Sequence, residues 1–187
     1  MNLYFDTEFT GLRKNTTLVS IGMISEDGKT FYAELSDYDK SWRDPWFIDN
    51  VESKLLYNTP CKQWFDECAD TQIYGSKQDV ASELEIWLQQ FDSVTLVSDV
   101  CHYDMVLLID LFGTAFDLPP VLPASCHDIN QDIARFLDIS ESLAFDMNRE
   151  KLIYDIYGET LKEKKHNALY DAKVIRLLYQ GLQKELN

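Results

Sequence analysis

Apolar and polar residues alternate from Leu3 to Phe9, which predicts a strand with Leu3, Phe5, Thr7 and Phe9 on one face and Tyr4, Asp6 and Glu8 on the other. Two more strands are predicted over Thr17–Ser25 and Lys29–Leu35, joined by the turn signal Glu26-Asp27-Gly28-Lys29, so the chain opens as an antiparallel meander. Ser36 to Ser76 is rich in aromatics and carries Pro45 and Pro60; only a short helix near Ile48–Tyr57 is predicted there. From Lys77 to Phe91, the positions Val80, Leu84, Trp87, Leu88 and Phe91 have helical spacing, and Ser93–Asp99 then reads as a short buried strand. An apolar helix follows from His102 to Gly113, and Pro119, Pro120 and Pro123 mark a connection to a strand-like segment at Ser125–Asp128. Further helices are predicted around Ile129–Leu137, Arg149–Tyr157 and Asn167–Gln183.

A meander followed by alternating helices and strands predicts an α/β fold, a mixed sheet with helices packed against it. No repeat or linker interrupts the pattern, and residues 1–187 read as one domain. With 45% hydrophobic and 13% aromatic residues the chain has enough apolar surface for a core.

The pattern also puts charge where apolar residues are expected. Asp6 and Glu8 share one strand face, and same-face residues two apart have alpha carbons about 6.5 to 7 Å apart, close enough for both carboxylates to reach one cation. A strand with one solvated face is the alternative. Asp104 falls on the helical stripe of Leu107, Leu108 and Leu111, and Asp171 on that of Val174, Ile175, Leu178 and Leu182. Buried carboxylates need a positive partner, because an unpaired charge costs several kcal/mol or shifts its pKa until it is neutral. A divalent ion shared by Asp6, Glu8, Asp104 and Asp171 satisfies all four, and oxygen-only ligation favours Mg²⁺ or Mn²⁺ over zinc. Periodicity alone does not select this set. Asp132, between Ile129, Ile133 and Phe136, passes the same filter; Asp99 is a rival to Asp104, with a turn residue as its alternative; and Asp104 also fits a helix-capping role.

The net charge of −15, from 32 acidic and 17 basic residues, argues against wrapping a long nucleic-acid backbone. It leaves open a site that grips a strand end with the help of divalent cations. Cys61, Cys68, Cys101 and Cys126 form no C-x-x-C pair and read as free thiols of a reducing compartment. No stretch approaches the roughly 18 apolar residues of a membrane span, and no leader pattern precedes Asn2, so a cytoplasmic location is expected.

Order and spacing narrow the carboxylate set. "FDTEFTGL", the acidic helix start in "HYDMVLL", and "HNALYDA" near the C-terminus resemble the three motifs of the DEDDh branch of 3′-to-5′ exonucleases. Within that superfamily the "SIGMISEDGKTFYAE" meander and the ending are most similar to a compact bacterial and phage group of 3′-to-5′ exoribonucleases. The middle motif is looser, since "SDVCHYD" lacks the Asn that several relatives carry before the Asp.

The resemblance implies a ribonuclease-H-like fold and a two-metal site. Asp6, Glu8 and Asp171 would hold the ion that binds the attacking water, Asp6 would bridge to a second ion supported by Asp104, and His166 would be the general base. Phe9, Thr10, Gly11 and Leu12 would lie against the terminal nucleotide. The substrate implied is the 3′ end of single-stranded or overhanging RNA ahead of DNA, and a homodimer is the expected assembly. A DNA exonuclease, a non-catalytic nucleic-acid-binding module and a Ca²⁺-stabilised domain are the alternatives; the last leaves His166 without a role. Arg13 and Lys14, with Lys162, Lys164 and Lys165, form two basic islands beside the outer motifs, read as phosphate contacts or solvated charge. Trp42, Trp46 and Phe47 read as core or dimer packing residues, with base stacking as the alternative, and His102 and His127 as structural.

Overall fold

A computed structural model describes residues 1–57, 69–158, 160 and 165–186, without the side chains of residues 185 and 186. β1 (Asn2–Phe9), β2 (Leu18–Ser25) and β3 (Thr30–Leu35) form the predicted antiparallel meander. β4 (Thr71–Gly75) joins β3 in parallel, while β5 (Thr95–Ser98) pairs parallel to β1 and β6 (Cys126–Asp128) parallel to β5. The sheet order is β4-β3-β2-β1-β5-β6, which puts the strand bearing Asp6 and Glu8 in its interior.

Helices cover both faces, so the β1 alternation separates two cores rather than a core and solvent. Leu3 and Phe5 pack with Ile21, Met23 and Phe31 against α2 (Lys77–Leu88) and α3 (His102–Phe112). Tyr4 packs with Val97 against α4 (Asn130–Leu137), α6 (Arg149–Tyr157) and α7 (Ala168–Leu186). This double cover explains why all of β2 is buried and why its sequence shows almost no alternation.

The largest departures from expectation lie between β3 and α2. The short helix comes early, as α1 (Pro45–Asn50) followed by a 3₁₀ turn at Glu52–Lys54. Asp44 caps α1 by accepting from Phe47 N–H, and Pro45 occupies the first turn, where its missing N–H costs nothing. Strand β4 went unpredicted, as did α5 (Glu141–Phe145). Both are short and lack a clear period. Pro60, Cys61, Cys68, Lys162 and Lys164 lie outside the described residues, while Cys101 and Cys126 are free thiols. Among the described residues no helix is long and apolar enough to cross a membrane.

Candidate active site

The site is assembled where α7 meets β1 and β2. Asp6 pairs with Gly22 across the β1–β2 ladder, and at Gly22 the first turn of α7 presses directly on the sheet. A Cβ built on Gly22 would sit 2.2 Å from Leu169 N and 2.4 Å from Leu169 Cα, so only glycine permits this approach. Asn167 starts α7 by accepting from the Tyr170 N–H at 3.1 Å. Asp171, one turn in, is thereby carried to Asp6 and Glu8, and ligand oxygens of the three carboxylates lie within 4.8 Å of one another.

Among the described residues this is the one group of three or more potential metal ligands so closely placed. Desolvation raises the Asp6 carboxyl well above the usual carboxylate range, and the neighbouring Asp104, Asp171, Glu8 and Asp99 charges raise it further. Burial does the same to Glu8, reinforced by Asp171 and Asp104. Asp171 is pushed up to about 7, chiefly by burial, against the hydrogen bond from His166 and the charge of Lys165. Carboxylates that resist ionising together, with oxygen as their only donor, suit a hard divalent cation.

Asp104 reaches β1 from α3 on the Leu3 and Phe5 side and is not one of the three clustered carboxylates. Its Oδ1 accepts from the Thr7 N–H at 3.1 Å and from the Thr7 hydroxyl, and its Oδ2 accepts from the Ser98 hydroxyl at 2.9 Å. It thus clasps the strand at the residue between Asp6 and Glu8. Burial pushes its pKa up to about 6, against those hydrogen bonds.

His166 stands in a left-handed backbone conformation, φ 68°, with its N–H donating to Asp171 Oδ2 at 2.8 Å. Its Nδ1 lies 3.9 Å from Glu8 Oε1. Burial lowers its pKa, helped by the charges of Lys165 and Lys54 and opposed by Glu150, which favours the neutral ring.

Asp6, Glu8, Asp171 and His166, but not Asp104, line a cleft of about 650 Å³ whose walls include Phe9, Gly11, Leu12, Trp46, Phe145 and Met147. Leu12 is 79% exposed, and Gly11 turns the loop with φ +136°. Thr10 is different from its neighbours. It is buried away from the cleft, accepting from Thr17 N–H at 3.0 Å, so its side chain holds the loop rather than facing a ligand. Of the three aromatics read as packing residues, Phe47 is in a core with Val19, Tyr38, Val51 and Leu55. Trp46 is 58% exposed and lies edge-on to His166 at 5.3 Å, and Trp42 lies beneath the Arg13 guanidinium at 4.0 Å.

Asp99 is more than a turn residue. Arg149 grips it through Nε and Nη2 at 2.6 and 2.8 Å, and the same guanidinium reaches Asn130 Oδ1 and the Ala144 and Met147 carbonyls, each at 2.8 Å. All five Arg149 donors are used. The sequence does not single out Arg149 because its side-chain partners, Asn130 and Asp99, are 19 and 50 residues away. Asp132, the other carboxylate that periodicity selected, is remote from the cluster; it is buried and bonded to His127 and Gln183.

The profile of the 3′-5′ exoribonuclease Rv2179c-like domain matches residues 1–180. The 3′-5′ exoribonuclease Rv2179c of Mycobacterium tuberculosis H37Rv is 31% identical over 133 residues, 70% of this chain and 73% of the relative. Among solved structures, the nuclease domain of 3′hExo, a DEDDh family member bound to rAMP, superposes with a TM-score of 0.65 at 14% identity, covering 97% of this chain and 91% of that one. A 3′-exonuclease recognising the histone mRNA stem-loop gives 0.64 at 12% identity, covering 97% of this chain and 63% of that longer one. At such identities the likeness establishes the fold, and it bears out the expected ribonuclease-H-like architecture.

Proposed function

The chain belongs to the family of 3′-5′ exoribonuclease Rv2179c-like domains, and from that premise we propose that its cleft removes nucleotides from the 3′ end of single-stranded or overhanging RNA as 5′-monophosphates. The observation that carries the proposal is the convergence of Asp6, Glu8 and Asp171 within 4.8 Å, with the His166 ring 3.9 Å from Glu8, in one cleft. A binding module would be free to lose any of these groups, and all are present.

The donor set fits divalent cations, with Mg²⁺ or Mn²⁺ favoured by its oxygen-only chemistry. Asp6, Glu8 and Asp171 would hold a first ion, and Asp6 with Asp104 would support a second. Such ions supply charge to the attacking and leaving oxygens of an in-line displacement at phosphorus. The protein's own part begins with orientation. Asp104 fixes the backbone between Asp6 and Glu8, and Asp171 fixes the backbone of His166. Because burial lowers its pKa, His166 is unprotonated at neutral pH and takes the proton of the attacking water on a ring nitrogen. Phe9, Gly11 and Leu12 line the path of the terminal nucleotide, with exposed Leu12 offering an apolar face to its base.

The test is a time course with 5′-labelled single-stranded RNA, matched DNA and an RNA duplex with a 3′ overhang, in Mg²⁺, in Mn²⁺ and in EDTA, beside Asp6→Asn. A metal-dependent ladder shortening from the 3′ end, faster on RNA and absent in Asp6→Asn, is expected. Faster loss of DNA would reassign the substrate, and binding without any shortening would identify a binding module.

A further inference from the structure

A polyanion must enter a cleft floored by carboxylates on a chain of net charge −15, so positive charge near its path is scarce and informative. The cations around the cleft divide into spent and unspent. Arg149 uses every donor on Asp99, Asn130 and two carbonyls. Arg13 is partly spent: it donates from Nη2 to the Thr10 carbonyl and is stacked on Trp42, while its Nε is buried without a hydrogen-bond partner. Lys165 and Lys54 are unspent: both are exposed, and among the described residues neither ammonium group forms an ion pair or a hydrogen bond.

These lysines come from unrelated parts of the chain. Lys165 lines the cleft one residue before His166. Lys54 ends the 3₁₀ turn that follows α1, the helix whose Trp46 touches the His166 ring. The segment that leaves that turn is held by buried Glu34, which accepts from the Leu56 and Tyr57 N–H groups. Val51, whose carbonyl accepts from the Lys54 N–H at 2.9 Å, lines the same cleft as Lys165 and His166.

We propose that Lys54 and Lys165 form a cationic lip beside His166 that holds a backbone phosphate of the RNA strand upstream of the bond being cut. This rests on the exonuclease reading above and adds how an acidic protein grips a polyanion: by two point charges at the mouth rather than by a basic groove. Ammonium groups on flexible stems suit a phosphate that must move past after each cut, since they impose no fixed fork geometry.

The experiment compares a ten-nucleotide RNA with the p-nitrophenyl ester of thymidine 5′-monophosphate, which reaches the same metal and His166 but carries no upstream phosphate. Lys54→Ala, Lys165→Ala and the double variant are measured on both, across pH and salt, with melting curves as the folding control. Removing either lysine is expected to lower the ratio of strand to ester kcat/KM about tenfold, through KM. The salt dependence of strand binding should flatten by about 0.7 in log–log slope per lysine. Equal losses on both substrates with a shifted pH profile would mean the lysines act through His166 and would overturn the lip. Unaltered strand kinetics and salt slope would equally overturn it, leaving two solvated charges. A wild-type enzyme inert on both substrates would instead defeat the exonuclease reading.

Discussion

The amide of His166 donates to the carboxylate of Asp171 at 2.8 Å, so one side chain both completes the cluster with Asp6 and Glu8 and clasps the proposed base. Two substitutions separate these duties. Asp171→Asn keeps an oxygen that can accept from His166 but removes the charge. It should melt at or above the wild-type temperature in EDTA, because a buried repulsive charge is gone, yet lose at least about 100-fold in kcat. Asp171→Ala removes the acceptor as well, and should cost an additional ~1 kcal/mol of stability. Thermal melts and single-turnover rates on both variants check the division; equal stability would show that the clasp contributes nothing.

Stability of the metal-free protein should fall as pH rises. The carboxyls of Asp104 and Asp171 are raised to about 6 and about 7, and those of Asp6 and Glu8 are raised too. An unfolded carboxyl titrates near 4, so between about 4 and 7 the folded state holds more protons than the unfolded one. The slope of unfolding free energy with pH is then negative, and stability declines through that window. In EDTA the melting temperature should be higher at pH 5.5 than at pH 8. Mg²⁺ or Mn²⁺ should raise it more at pH 8 than at pH 5.5, where protons compete. Asp171→Asn should flatten both dependences. A metal-free melting temperature that rises with pH would contradict the repulsive cluster.

Gly22 carries no functional group, yet Gly22→Ala should damage the site. The new methyl meets the α7 backbone at Ala168 and Leu169, which can yield only by moving the helix that bears Asp171. Overpacking of this kind costs about 1 to 3 kcal/mol. Calorimetry with Mn²⁺ should show weaker binding alongside the lower melting temperature, whereas an unchanged affinity would mean that α7 shifts without carrying Asp171 away.

Gly22 also shows what the sequence hides. The meander, the apolar helices and the outer motifs were legible because alternation, helical period and the Asp6, Glu8, His166 and Asp171 spacing all lie within short windows. What Asp6 faces across the ladder is a matter of register, and that α7 lands there is a matter of packing; neither leaves a local signature. Thr10 is the converse case. It belongs to a legible motif, but its hydroxyl turns to Thr17, a partner that the strand pattern alone does not indicate. The carboxylate filter also could not tell Asp104 from Asp132, because both sit on apolar stripes. The partners separate them: Thr7 and Ser98 for one, His127 and Gln183 for the other.

Arg149 makes a prediction about the wall of the cleft. Its guanidinium joins Asp99, at the end of β5, to Asn130 of α4 and to the carbonyls of Ala144 and Met147. The ion pair is largely shielded, with the two side chains 13% and 20% exposed. Removing the cation leaves the Asp99 carboxylate unpaired beside a cluster that already repels it, and breaking a buried pair from one side costs about 3 kcal/mol. Arg149→Ala should therefore lower the melting temperature sharply in EDTA. Asp99→Asn combined with Arg149→Ala should recover part of the loss, since no charge is then orphaned. A double-mutant cycle from urea unfolding measures the coupling. Additive losses would show that Arg149 matters through its contacts with Asn130 and the two carbonyls, whereas rescue would identify the Asp99 pair as the bond that holds the Phe145 and Met147 wall against the strand end.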